Sequence, residues 1–226
     1  AKEDRSAEKY ARMVAKARAY NRKLTDHAQV IGERLEDDGT IDGDFGFKSD
    51  KEYQNLLDFG DGIMASVEIP SIGVDLPVRH GADSYALDNG LGHLHGTSLP
   101  VGGKNTHSVI TGHTGLPSAQ LFTGIDGMKK GDKFSITVYD DVLTYEVEER
   151  QVVLPTNVKP LAIQEGRDLV SLVTCTPYGV NSHRLILTAH RIPTPENKKE
   201  VEVNPERAIM SDIAITAFVI VGVAVR

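Results

Sequence analysis

Cysteine is nearly absent from this sequence: one residue, Cys175, serves all 226 positions. An internal disulfide is therefore excluded, and so is a CxxC metal or redox pair. No concentrated block of Lys and Arg occurs, and the net charge is -7. A general nucleic-acid binder needs a basic surface to neutralise phosphates, so that class is set aside. Neither a phosphate-binding P-loop nor a dinucleotide glycine fingerprint is present; Gly102-Gly103-Lys104 lacks the spacing. Internal repeats and low-complexity tracts are missing too. No apolar run reaches the roughly 20 residues of a membrane-crossing helix. The longest, Ile213 to Val225, is followed by Arg226.

What is present is ordinary globular composition, 40% hydrophobic and 25% charged, in a chain long enough to bury a full core. Residues 1–36 read as an amphipathic helical extension, with Tyr10, Met13, Val14, Ala17, Tyr20 and Leu24 at three- and four-residue steps. Residues 37–62 form a glycine-broken acidic connector in which a helical register resumes near Tyr53, Leu56 and Leu57. From residue 63 to 192 short β-branched runs alternate with Gly, Pro, Asn and Asp. Strands are expected over 64–69, 76–79, 108–112, 133–139, 143–153, 169–174 and 185–191. That texture predicts a mainly β domain, a closed or nearly closed barrel. Residues 193–212 look like a charged tether. Residues 213–226 read as a truncated hydrophobic membrane anchor, and the opening at Ala1 leaves room for a removed leader.

A lone cysteine is often a small buried hydrophobe. Here the neighbours point elsewhere. An apolar strand runs into Cys175, Pro177-Tyr178-Gly179 turns the chain, and Arg184 opens a second apolar strand. Such a connection sets the two strand ends side by side, placing a cation beside a thiol. Nearby positive charge promotes the thiolate, the nucleophilic form. The leaving amine then needs an acid. Of eight histidines, His113 stands out because it follows the strand Ser108-Val-Ile-Thr-Gly and precedes the turn Thr114-Gly-Leu-Pro. His183 points away from Arg184 on an extended strand, and His190 lies inside the last strand.

The string Ser171-Leu-Val-Thr-Cys-Thr-Pro-Tyr-Gly-Val-Asn-Ser-His-Arg184 resembles the sortase signature, and its later part looks like the pilin-polymerising class C branch. Gly92-His-Leu-His-Gly-Thr-Ser-Leu-Pro-Val-Gly-Gly103, Thr106-His-Ser-Val-Ile-Thr-Gly-His113 and Lys130-Gly-Asp-Lys-Phe134 agree with it. Similarity runs from about Tyr20 to Ile192. The resemblance implies a sortase-type barrel of about eight strands, with an N-terminal helical extension and short connecting helices. It implies a membrane-tethered, extracytoplasmic cysteine transpeptidase of a Gram-positive bacterium, needing no cofactor or metal. Cys175 would attack a Leu-Pro-x-Thr-Gly type sorting signal, His113 would protonate the departing amine, and Arg184 would stabilise the oxyanion or hold the substrate. The implied partners are pilin proteins bearing sorting signals and acceptor lysines, and the membrane.

Pilin sortases usually carry a lid with an Asp-Pro-aromatic motif, and this chain has no Asp-Pro pair. Gly43-Asp44-Phe45-Gly46-Phe47 is the nearest substitute: Asp44 could pair with Arg184 while Phe45 covers the thiol. A plain glycine-rich connector is the other reading. Open alternatives for function are a housekeeping sortase, a cysteine peptidase hydrolysing the same intermediate, and a surface binding module whose cysteine is merely buried.

Overall fold

Strand runs that alternate between two faces need two covers, and here one face closes on itself. The structure, a computed structural model, describes residues 2–26, 31, 34–35, 41–42, 46–114 and 121–196. Its elements are α1 (Lys2–Asp26), β1 (Arg34–Leu35), β2 (Ile41–Asp42), α2 (Lys51–Gln54), β3 (Ile63–Ile69), β4 (Val74–His80), α3 (Ser84–Asp88) and β5 (Leu91–His93). They continue with β6 (Thr106–Thr111), β7 (Lys133–Val138), β8 (Asp141–Val153), β9 (Asp168–Thr176) and β10 (His183–Ile192). The last eight strands close a barrel in the order β10-β8-β7-β3-β4-β5-β6-β9. Most ladders are antiparallel; β4–β5 and β6–β9 are parallel.

The barrel interior holds Met64, Val67, Ile110, Phe134, Ile136, Tyr145, Val170, Leu172, Leu185 and Leu187. On β9 the residues between these also find cover: Val173 joins Leu94, Val109, Leu161 and Ile186 in a second apolar cluster. A strand buried on both faces reads as a nearly continuous hydrophobic run, as Leu169 to Thr174 does.

α1 lays Val14, Ala17 and Tyr20 on the main core, with Tyr10, Met13 and Leu24 beside them. Asn21 fixes its register by donating to Leu99 O (3.0 Å) and accepting from Leu99 N (2.7 Å). The helix is shorter than the sequence suggests, ending at Asp26 rather than near Glu36. Ile31 is not helical; it packs against the second apolar cluster, and Gly32 would cost a helix interior about 1 kcal/mol. The three-residue strand β5 escaped the sequence reading because Gly92 interrupts it. A Cβ there would come within 2.4 Å of Gly81 O. Asp44 and Phe45, and nearly all of the tether and anchor segments, lie outside the described residues. Among the described residues no helix is long and apolar enough to cross a membrane.

Candidate active site

Cys175 ends β9 between two strands, and each neighbour delivers one candidate partner. On the antiparallel side its Cα partner in the β9–β10 ladder is Arg184. On the parallel side β6 pairs Thr111 with Val173, and the chain keeps step one residue further, where Gly112 N donates to Val173 O at 3.1 Å. Continuing that register sets His113 level with Cys175. Side chains alternate along strands. Val109, Val173 and Ile186 share the outer cluster, so His113, Cys175 and Arg184 fall on that same outer face at one pole of the barrel. The cysteine stands between a histidine and an arginine.

Threonines hold the β6 end in place. Thr174 Oγ1 donates to Gly112 O at 2.7 Å, and Thr114 Oγ1 donates to Cys175 O at 3.2 Å and lies 3.2 Å from Thr174 Oγ1. Gly112 is needed for its size: a Cβ there would meet Leu91 Cδ2 at 2.5 Å and Phe122 Cδ2 at 2.9 Å. These positioning residues were missed as such in the sequence, although a Thr at the end of an apolar strand was their signal.

The other histidines are committed elsewhere. His93 is fully buried between Tyr53 Oη (2.9 Å) and Ser98 O (2.8 Å), and burial pushes its ring down to about 3, keeping it neutral. Burial also lowers His107, whose nitrogens face Ala162 O and Ser171 Oγ. His80 faces the carbonyl oxygens of Gly62 and Leu56 at 2.8 and 2.7 Å. His95 meets Asp50 at 3.0 Å, His190 meets Glu148 at 3.1 Å, and His183 meets Ser182 Oγ at 2.9 Å. His27 lies outside the described residues. The half-buried His113 ring hydrogen-bonds to no described residue.

Arg184 is only 5% exposed. Its Nη1 donates to Asn181 O and His183 O, each at 3.2 Å, which holds the guanidinium against the β9–β10 turn. From Arg184 an apolar cleft runs over the outer face, floored by Val109, Val173 and Ile186 and roofed by Leu154, Val158 and Leu161. Its room is about 20 Å³, and Ile31 packs on the same cluster.

Such an arrangement is compatible with acyl transfer: a thiol, an imidazole that hydrogen-bonds to no described residue, a buried multi-donor cation, and an apolar cleft that the cation lines. Known proteins bear on it. Residues 67–192 match the family model described as the sortase domain. Sortase C-1 from Actinomyces oris superposes with a TM-score of 0.73 at 46% identity, covering 82% of this chain and 99% of that one. Sortase C of Streptococcus pneumoniae, whose structure is described as giving insight into pilin substrate specificity, gives 0.69 at 40% identity, covering 82% and 88%. Sortase A of Streptococcus agalactiae serotype III (strain NEM316) is 30% identical over 117 residues, 50% of this chain and 47% of that protein. The match thus spans about half of that curated relative. The family model covers more than half of the chain, and the class C neighbours cover most of it: the chain belongs to the sortase family.

Proposed function

We propose that the chain is a pilus-assembly transpeptidase. Cys175 Sγ bonds to the threonine carbonyl carbon of a Leu-Pro-x-Thr-Gly type signal, and the Thr–Gly C–N bond breaks. His113 passes its proton to the departing glycine amine, without which that amine is a poor leaving group. Arg184 supplies donors to the oxyanion of the tetrahedral intermediate, or to the substrate backbone beside it. A lysine Nζ of the next pilin then attacks the thioester, its proton passes to His113, and the S–C bond breaks to leave an isopeptide.

The observation that supports this reading is the strand register that sets Cys175 between His113 and Arg184, with Arg184 also lining an apolar cleft. The cleft's apolar lining matches the leucine and proline of the signal in polarity, and with room for about 20 Å³ it has to widen to receive them, a cost set against the roughly 1.5 to 3 kcal/mol that burying a leucine side chain returns. The pilin substrate comes from the class C neighbours, one of which is described by its pilin substrate specificity. The same reading puts the enzyme on the outer face of a Gram-positive membrane, with Ile213 to Val225 as part of an anchor. Incubation with a sorting-signal peptide and a pilin lysine donor tests it: an isopeptide-linked product supports the transpeptidase, and hydrolysis alone would contradict it.

A further inference from the structure

The β-barrel has two poles, and the chemistry occupies one. Cys175, Arg184 and Val153 lie at one end of β9, β10 and β8, whereas Asp168, Ile192 and Thr144 lie at the other. Arg184 and Ile192 are eight steps apart on β10, roughly 26 Å along the strand. The far pole carries three features that no part of the reaction uses.

The first is a cavity of about 460 Å³ between the last turns of α1 and the loop before β6. Arg18, Arg22 and Lys104 line it together with Asn21, Thr25 and Gly103, and among the described residues no carboxylate does. Arg18 and Arg22 are one helical turn apart, where like charges repel. Among the described residues none of the three cations forms an ion pair. Nearby Asp168 is already engaged, accepting from Gly103 N at 2.8 Å and Tyr145 Oη at 3.0 Å and facing Arg191 at 4.0 Å. The loop is tightly curled, with positive φ at Gly102, Gly103 and Asn105, a form of backbone that suits anion cradles.

The second feature is an exposed aromatic stack. Tyr139, at the β7–β8 turn, is 44% exposed and stacks on Tyr10 of α1 at 4.8 Å and on Phe59 at 5.8 Å; Phe59 is 38% exposed. Third, a neighbouring cavity of mixed charge, lined by Arg18, Arg191, Asp141 and Asp168, also contains Ile192 and Pro193. The last barrel strand therefore ends at this pole.

Cations with no ion pair among the described residues, amphipathic rings and the end of the last described strand at the same pole, in a chain whose sequence goes on to the apolar run 213–225, suit a protein surface resting on anionic lipid. We propose that this pole is the membrane-facing surface of the barrel, and that the cavity of Arg18, Arg22 and Lys104 takes the phosphate of an anionic phospholipid headgroup. The catalytic pole is then held away from the bilayer, towards incoming substrate. The inference rests on the membrane-tethered reading above. Overall charge does not supply it, because a chain of net charge -7 is repelled by anionic lipid unless a local site overrides that repulsion.

The test uses the full chain with vesicles of phosphatidylcholine, alone or mixed with phosphatidylglycerol. Anionic vesicles should bind at least about tenfold more tightly, given the usual contribution of basic residues near such a surface. The triple variant Arg18→Glu/Arg22→Glu/Lys104→Glu should lose that preference and still cleave a soluble sorting-signal peptide. An equal charge change elsewhere, Lys129→Glu/Lys130→Glu/Arg150→Glu, should keep most of it. The chain has no tryptophan, so Tyr139→Trp and Tyr178→Trp each install a single probe, and brominated lipid should quench the first and not the second. Equal loss in both charge variants, quenching at position 178 alone, or equally tight binding of a soluble polyphosphate would overturn the proposal. Binding to both vesicle types with no anionic preference would refute it while leaving the anchor reading intact. Failure to bind either vesicle would refute both.

Discussion

Arg184 stands directly opposite Cys175 across the β9–β10 ladder, with its guanidinium held by two carbonyl oxygens of the adjoining turn. In the proposed reaction a planar cation pinned beside the thiol would be pre-organised for the oxyanion and would reorganise little. Arg184→Lys keeps the charge and loses the fork of donors. Peptide turnover should fall by about 10²- to 10³-fold, read as kcat/KM. Turnover near that of the parent would mean that only a diffuse positive field is needed.

Gly112 controls where His113 lies. Gly112→Ala forces a methyl against Leu91 and Phe122, an overpacking that should cost about 1 to 3 kcal/mol by urea denaturation. Because His113 is the next residue, turnover should fall by more than tenfold in the variant that remains folded. Leu91→Val in the same chain should restore part of both. Wild-type turnover with altered stability would separate Gly112 from the positioning of His113.

How much of this was legible in the sequence follows from where the information sits. Cys175, Arg184 and the intervening turn lie within ten residues, so strand alternation alone brings them together. His113 is 62 residues away from Cys175 and meets it only through the parallel β6–β9 ladder. The residues alone marked it as a strand-end histidine, and the family resemblance gave it a role. The barrel was readable from period-two runs bounded by turn residues, whereas β5 was hidden by Gly92. The cleft roof at Leu154, Val158 and Leu161 was not legible, because these residues pack across the sheet face and belong to no periodic element. Ile31 was read as helical for want of any local sign that a distant cluster would bury it.

That contact has a kinetic consequence. Ile31 packs on the cluster of Val109, Val173 and Ile186, so if the proposed signal binds in the apolar cleft, the chain would compete with it there. Closure lowers apparent affinity by the fraction of time the site is open. Ile31→Ser should lower KM for a sorting-signal peptide severalfold with kcat little changed. An unchanged KM would show that Ile31 covers nothing the substrate needs.

Stability should depend on pH through two buried histidines. His93 and His107 both titrate below their unfolded value near 6.5, so between that pH and the folded values the unfolded state binds more protons. Stability contributed by the neutral rings is complete above about pH 6.5 and declines as pH falls, towards about 3 for His93. The expected slope approaches about 1.4 kcal/mol per pH unit for each histidine. Urea midpoints at pH 7.5, 6 and 5 should fall in that order. A midpoint constant over the range would contradict buried neutral rings at both positions.

The central claim is that Cys175, assisted by His113, carries the acyl group. Intact-mass spectrometry of the chain after mixing with a sorting-signal peptide reads it most directly. The parent should gain the mass of the peptide truncated after threonine, the adduct should map to Cys175, and a lysine donor should discharge it. His113→Ala should accumulate it far more slowly, and Cys175→Ala should show none. An adduct of the same mass in Cys175→Ala, or one that forms at the parent rate in His113→Ala, would contradict the account.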